Sequence, residues 1–318
     1  MEFLPKNLNI DVKIGKNLGL ELENIIKSHG FTVKKAVLVS DNNIFSNCKE
    51  FLSNQLLADL QQIIILEDPK PDEENIAKIK DVAQDCELIL ALGSGTINDL
   101  CKYSSHEIDK KYMIVTSAAS MNGYLSKNAS IIINGHRKTL PASMPIAAIC
   151  DYDILRSAPK YMTKAGIGDS MCFFSCWFDW LLSHLLLGTD YDAQCFEILM
   201  PKMTDFVGNY QNYVLGEDEL LKIVVEMLLL SGSSMTMAGN SNPASQSEHL
   251  IAHSYSMRFE EKSEKVLHGL QIATTTLTSA KIQEELVVTD QLMLRDLNFN
   301  QNAIADFYGA QIASECQG

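Results

Sequence analysis

The chain lacks a basic surface. Its 318 residues include 26 lysines and arginines against 40 aspartates and glutamates, a formal net charge of −14, and no local cluster of basic residues offsets that deficit. Non-specific nucleic-acid binding needs cations that displace condensed counterions, so that class of function is excluded. Paired CxxC motifs are also missing. The 8 cysteines, Cys48, Cys86, Cys101, Cys150, Cys172, Cys176, Cys195 and Cys316, are scattered, which reads as reduced, buried thiols of a reducing compartment rather than a disulfide framework. Cys172 and Cys176, four apart on an expected helix, read as packed core thiols, with a soft-metal pair as the alternative. The longest apolar runs, near 181–187 and 227–230, fall far short of a bilayer. The opening residues hold no apolar stretch of signal-peptide length, and there are neither repeats nor low-complexity tracts. A soluble, cytoplasmic protein without membrane insertion is expected.

What is present is apolar and patterned. Hydrophobic residues make up 46% of the chain and charged residues 21%, enough to bury the core of one large domain or two ordinary ones. In the first half, runs rich in Val and Ile at 35–40, 61–66, 86–92 and 112–117 alternate with helix-like segments near 16–29, 44–58, 73–84 and 96–104. That alternation predicts a parallel, doubly wound sheet, and burial on both faces accounts for the unbroken apolar strands. Residues 128–150 read as a hairpin-like excursion and return. Beyond about residue 155 the strand signals fade and helical periodicity takes over at 169–187, 192–214, 218–237, 245–258 and 267–286. The expected architecture is an α/β nucleotide-binding domain over 1–155 followed by an all-helical domain over 156–318.

Three loops at expected strand ends suit a nucleotide. Gly93-Ser94-Gly95 runs from the third apolar strand into a helix, where free N–H groups and the positive end of the helix dipole favour a pyrophosphate. The same turn also serves plain strand-to-helix geometry, and it is neither GxGxxG nor a lysine-bearing phosphate loop. Asp41 ends the first strand and reads equally as a ribose acceptor or a helix cap. Thr116, Ser117 and Ser120 follow the fourth, at the carboxyl edge where open parallel sheets bind ligands.

Three separated pieces of the second half suit a divalent cation. Gly166-Ile167-Gly168-Asp169 reads as a glycine turn that places an aspartate at a helix start. His249 and His253 share a helix face at i and i+4, and His268 precedes Gly269. One carboxylate and two imidazoles leave coordination positions open for chemistry. Taken singly, each piece reads as well as a capping aspartate or an ordinary histidine.

Together these stretches resemble the glycerol-1-phosphate dehydrogenase family, a branch of the iron-containing alcohol dehydrogenase, glycerol dehydrogenase and dehydroquinate synthase-like superfamily. The resemblance rests on GSGTINDLCKY (93–103), TSAASMNGYLS (116–126), APKYMTKAGIGD (158–169), SGSSM (231–235), NPASQSEHLIAH (242–253) and HG (268–269), and covers the chain from the first strand to about residue 285. It implies a Rossmann-like domain, a helical metal-binding domain and an active site between them. By motif, Asp169, His249 and His268 are the implied metal ligands, with His253 beside them as a proton-relay group. Gly93, Ser94, Gly95 and Asp99 are implied to hold cofactor phosphates and nicotinamide, Thr116, Ser117 and Ser120 to line nicotinamide and ribose, and Asp41 to bind the adenine ribose. Lys138, with Arg137, is implied as a phosphate contact. The implied cofactors are NAD(H) or NADP(H) and one divalent metal, zinc first, with nickel or iron as alternatives. The implied substrate is a small phosphorylated ketone or polyol, the reaction the interconversion of dihydroxyacetone phosphate and sn-glycerol 1-phosphate, and the assembly a homodimer.

Several positions depart from the family pattern. Asn122 stands where the SMDG motif has an aspartate beside substrate and metal. Asn242 replaces the arginine of RPASG, Gln246 and Ser247 replace small residues, and Phe173 or Phe174 stands where a lysine is usual. The closing helices are expected to be shortened. A glycerol dehydrogenase, a dehydroquinate synthase-like cyclase and a catalytically degenerate nucleotide-binding homologue are the competing readings.

Overall fold

A computed structural model describes residues 4–5, 8–263, 265–289, 301–309 and 314. Eight strands are formed, β1 (Asp11–Gly15), β2 (Ala36–Asp41), β3 (Gln62–Leu66), β4 (Leu88–Gly93), β5 (Lys111–Thr116), β6 (Asn128–Ile133), β7 (His136–Pro141) and β8 (Ala147–Asp151). Six of them make one all-parallel sheet in the order β1-β8-β5-β4-β2-β3, while β6 and β7 form a separate antiparallel hairpin. Helices α1 (Leu22–Ser28), α2 (Asn42–Cys48), α3 (Asn54–Asp59), α4 (Glu73–Ala83) and α5 (Gly95–Glu107) connect the strands. The α/β half followed by helices is therefore the fold expected from the sequence.

Burial explains the strand pattern. Every residue of β4 is buried, and β2 is buried up to Asp41. On one face Leu22, Ile26, Leu56 and Ile154 pack against Leu38, Leu90 and Val115. The other face carries α4 and α5 through Ile79, Ile97 and Leu100, and its core runs on into the helical half. β1 lacks the continuous apolar signature because its sequence, DVKIG, interrupts Val12 and Ile14 with Asp11 and Lys13, whereas the other edge strand, β3, reads QIIIL. The chain reverses direction across the sheet between β2 and β4: β2 leads outward to β3, and β4 leads through α5 to β5. That crevice is the switch point at which open α/β sheets bind ligands. Ser40 stitches it by donating to Leu92 O at 2.8 Å.

The second half comprises α6 (Tyr152–Ser157), α7 (Lys160–Leu187), α8 (Gln194–Glu197), α9 (Met200–Leu215), α10 (Glu217–Ala238), α11 (Ser247–Arg258), α12 (Glu260–Ser263), α13 (His268–Val288) and α14 (Gln301–Tyr308). The expected division at residue 155 falls inside α6. Helix α7 begins nine residues before its expected start, so Gly166-Ile167-Gly168 is no turn and Asp169 is no cap: all four lie inside the helix. The glycines are there for closeness. A Cβ on Gly168 would lie 2.3 Å from Gly269 O, and one on Gly269 would lie 2.0 Å from Ala165 O. Helices α7 and α13 thus cross backbone on backbone, which sets Asp169 beside the start of α13. Helices α7 and α10 are long and apolar enough to cross a bilayer, but 78% of the most apolar window of α10 is buried inside the protein, against 33% for α7.

Gly269→Ala is expected to destabilise the fold by about 1–3 kcal/mol, the usual cost of overpacking, because the atom it would strike is backbone. Chemical denaturation checks this; a midpoint equal to wild type would show that the crossing is looser than described.

Candidate active site

Asp169 is buried at the centre of α7. Its Oδ2 accepts a hydrogen bond from Asn122 N at 2.8 Å, whereas its Oδ1 is buried without any hydrogen-bond partner. Facing that oxygen are His249 Nε2 at 4.0 Å and His268 Nε2 at 3.9 Å. These separations are too long for hydrogen bonds. They suit ligand atoms disposed around one cation at about 2.0–2.2 Å from each. The three ligand atoms all lie within 4.8 Å of one another. A partnerless buried carboxylate oxygen turned toward two imidazole nitrogens is costly unless a positive charge lies between them, so these residues fit a divalent metal.

Glu248 fixes the tautomer. His249 Nδ1 lies 2.9 Å from Glu248 Oε1, so the ring donates there and turns the lone pair of Nε2 toward Asp169. This is the carboxylate–imidazole support that orients metal-binding histidines. Glu248 Oε1 also accepts from Gln246 N at 2.8 Å and from Cys176 Sγ at 3.1 Å, and Ser175 Oγ donates to Oε2 at 2.8 Å. Burial alone would raise this carboxyl, but the hydrogen bonds from His249 and Gln246 prevail and hold it down at about 2. The neighbouring carboxyl moves the other way: burial pushes Asp169 up, against the pull of His249 and the Asn122 N–H. Such a group gains most from a cation. Desolvation in the cleft, with His249 and His253 beside it, lowers His268, though its side chain stays 47% exposed, and desolvation lowers His253 as well. The His253 ring lies 6.1 Å from His249 and 6.0 Å from His268, centroid to centroid.

The nucleotide loop lies at the switch point. Gly93 ends β4 where a Cβ would meet the Ile97 side chain at 2.3 Å, and Gly95 opens α5 after Ser94, whose side chain makes no cap. The first-turn N–H groups of α5 are thereby left for an anion. Asp41 takes up the capping role: its Oδ1 accepts from Ile44 N at 2.8 Å at the start of α2, across the crevice. Asp99 braces the hairpin by accepting from Ser130 N at 3.2 Å through Oδ2, and burial raises its carboxyl. Ser117 N donates to Gly93 O at 2.9 Å, tying the two strand ends together, and Ser120 is buried. Thr116 turns inward and donates to Ile149 O at 3.3 Å. On β7, Arg137 Nη1 donates to Ser130 Oγ at 3.1 Å, and its charge bears on His253 and His268; Lys138 pairs in register with Ile131.

One turn joins the two halves of the cleft. Met121 Cγ would lie 3.6 Å from a Cβ on Gly95, while the next residue, Asn122, bonds Asp169. Sequence reasoning assigned no role to Glu248 or to the buried Lys102. The signal for Glu248 was its place directly before His249 within a tightly patterned helix.

A family model described as iron-containing alcohol dehydrogenase matches residues 13–159. A glycerol-1-phosphate dehydrogenase (NAD(P)+) of Pyrococcus horikoshii is 30% identical over 278 residues, covering 85% of this chain and 77% of that protein. One from Geobacillus thermodenitrificans is 29% identical over 252 residues, 76% of this chain and 62% of the relative. The chain thus spans about three fifths of that relative's length. The crystal structure of glycerol dehydrogenase from Schizosaccharomyces pombe superposes with a TM-score of 0.69 at 16% identity, over 96% of this chain and 75% of that one. A probable glycerol dehydrogenase from Sinorhizobium meliloti gives 0.68 at 19%, over 84% and 74%. The chain belongs to the iron-containing alcohol dehydrogenase family, and its glycerol-1-phosphate dehydrogenase relatives place it on that branch.

Glu248→Gln is expected to weaken metal affinity by about 10–100-fold, as loss of such a support does elsewhere; competition with a chromophoric chelator reads this. A carboxyl held near 2 contributes stability that is fully present above the ordinary carboxyl range and is lost as pH falls through about 2. The stability gap between wild type and variant should therefore shrink on acidification; a gap independent of pH would remove Glu248 from this role.

Proposed function

We propose that the chain is a metal- and NAD(P)(H)-dependent dehydrogenase that interconverts dihydroxyacetone phosphate and sn-glycerol 1-phosphate, or a related small polyol and its ketone. The observation that carries this reading is the convergence of Asp169 Oδ1, His249 Nε2 and His268 Nε2 on one centre at the mouth of the nucleotide crevice. The proposal extends to the two units 1–155 and 156–318, to zinc as the metal on ligand type, and to a soluble, cytoplasmic homodimer. A second copy would cover the exposed apolar residues of α13, among them Leu277, Val287 and Val288, each about 70% open.

In this reading Asp169, His249 and His268 bind the cation, and Glu248 keeps His249 oriented. The cation supplies Lewis acidity to the substrate carbonyl, and the reduced nicotinamide supplies hydride. The N-terminus of α5 with Gly93–Gly95 anchors the dinucleotide phosphates, and Asp41 offers its second carboxylate oxygen to the adenine ribose. Ser117 and Ser120 would line the pocket that takes the nicotinamide, with Thr116 packed behind them. His253, one helical turn beyond His249, moves the proton between a ring nitrogen and the substrate oxygen. Asn122 presents a neutral amide toward the substrate, and its Nδ2 is buried without a partner. Arg137 and Lys138 supply positive charge for a phosphate. Asn242, where the family carries an arginine, and Phe173 or Phe174, where a lysine is usual, favour an unphosphorylated polyol as the second reading.

With zinc and NADH or NADPH, loss of nicotinamide absorbance is expected on dihydroxyacetone phosphate, faster than on dihydroxyacetone. A chelator should abolish it and zinc restore it. His268→Ala should lower turnover by at least about 100-fold, the upper range seen when a metal's environment is broken. Turnover by that variant in chelator-treated buffer would end the metal-dependent reading.

A further inference from the structure

Lys102 is wholly buried, the one lysine or arginine in that state among the described residues. It lies two turns along α5 from the nucleotide loop; the charge of the Asp99 carboxylate, one turn earlier, bears on it, but no carboxylate lies within ion-pair distance of it among the described residues. Its ammonium instead donates to three neutral acceptors: Gly123 O at 2.5 Å, Ser126 Oγ at 3.2 Å and Asn128 O at 3.2 Å. All three donors are used. A buried cation held by neutral oxygens contributes little net stability, and an apolar side chain would fill the same space more cheaply. What it does achieve is to fix one peptide. The Gly123 carbonyl it grips lies one residue beyond Asn122, whose N–H is the hydrogen-bond donor to Asp169 Oδ2. The opposite side of the same turn is pinned by α10: a Cβ on Gly232 would lie 2.6 Å from Asn122 O, and Thr236 Oγ1 donates to Leu125 O at 2.8 Å. The turn 122–126 is therefore clamped from both domains, with Lys102 the clamp on the nucleotide side.

We propose that Lys102 is a positioning residue of the metal centre: by holding the Gly123 carbonyl it aims the Asn122 N–H at Asp169, and so turns the other carboxylate oxygen of Asp169 toward the cation. This rests on the metal-binding reading given above. Without the ammonium Gly123 O keeps only the 3.3 Å bond from Ser126 N and a share of the Ser126 hydroxyl, which also serves Asn128 O; the turn then relaxes, and Asp169 loses the bond that fixes its rotation. The dinucleotide loop, at the N-terminus of α5, keeps its own tie from Ser117 N to Gly93 O.

The test compares Lys102→Met with wild type in the full-length chain. Zinc affinity is measured by chelator competition without substrate, NADH affinity by fluorescence, and folding by thermal melting. The expected result is zinc binding weaker by about 10-fold or more, in the range for outer-shell support, with NADH affinity within about 3-fold. A residue that only staples the hairpin to α5 would lower the melting temperature and leave zinc affinity alone, and that outcome overturns the proposal. Should Lys102→Met not fold, Ser126→Ala carries the test. It removes one acceptor of the ammonium together with the hydroxyl's own bonds to Gly123 O and Asn128 O, so that the grip on the Gly123 carbonyl loosens; weakened zinc binding at unchanged NADH affinity supports the proposal, while unchanged zinc binding overturns it. If the wild-type chain binds no zinc, the metal-site reading fails and this inference with it; wild-type binding with unaltered variants sinks this inference alone.

Discussion

A carboxylate oxygen sealed from water with nothing to accept from is the constraint around which this molecule is arranged. Asp169 Oδ1 is such an atom. A protein tolerates it only where a cation answers it, and the surroundings are built to present it. One helix crossing brings His268 near, a second helix brings His249, and a turn from the other domain satisfies the remaining oxygen. Remove the convergence and what is left is a parallel sheet with a helical bundle attached.

That dependence crosses the domain boundary. The nucleotide crevice belongs to the sheet and the three ligands to the helices, yet residues 121 and 122 touch Gly95 on one side and Asp169 on the other. The two chemistries of the cleft, anion binding at a helix start and cation binding at a carboxylate, thus share a few residues of backbone. Their opposite charges give each its own environment: free N–H groups and a positive dipole end for phosphate, a desolvated acid and imidazoles for metal.

The sheet was legible because burial on both faces leaves unbroken apolar runs, as in β2 and β4, and the hidden strand, β1, is the edge strand whose apolar residues are interrupted by Asp11 and Lys13. The second half was legible as helical, but not where its longest helix began. Glycine pairs usually signal turns, and Gly166 and Gly168 carry no local mark to show that their bareness accommodates another backbone, that of Ala119 for the first and of Gly269 for the second. The candidate ligands Asp169, His249 and His268 were readable by motif, and the fold brings their ligand atoms within 4.8 Å of one another. The outer support was not. Glu248 bonds its own neighbour's ring, a contact that depends on rotamers, and Lys102 looks in the sequence like one more surface lysine of an amphipathic helix. Asp41 was left open between cap and ribose acceptor, and its capping bond uses only one of its two oxygens.

The close crossing of α7 and α13 also limits how the protein moves. Two helices that meet backbone to backbone at Gly168 and Gly269 have no layer of side chains between them to shear, so they translate together. Gly166 repeats the arrangement against the sheet half, where a Cβ would lie 2.1 Å from Ala119 O, so α7 is seated directly on the loop after β5 as well as on α13. A shift of α7 is therefore felt at once on both sides, and Asp169 cannot move independently of either.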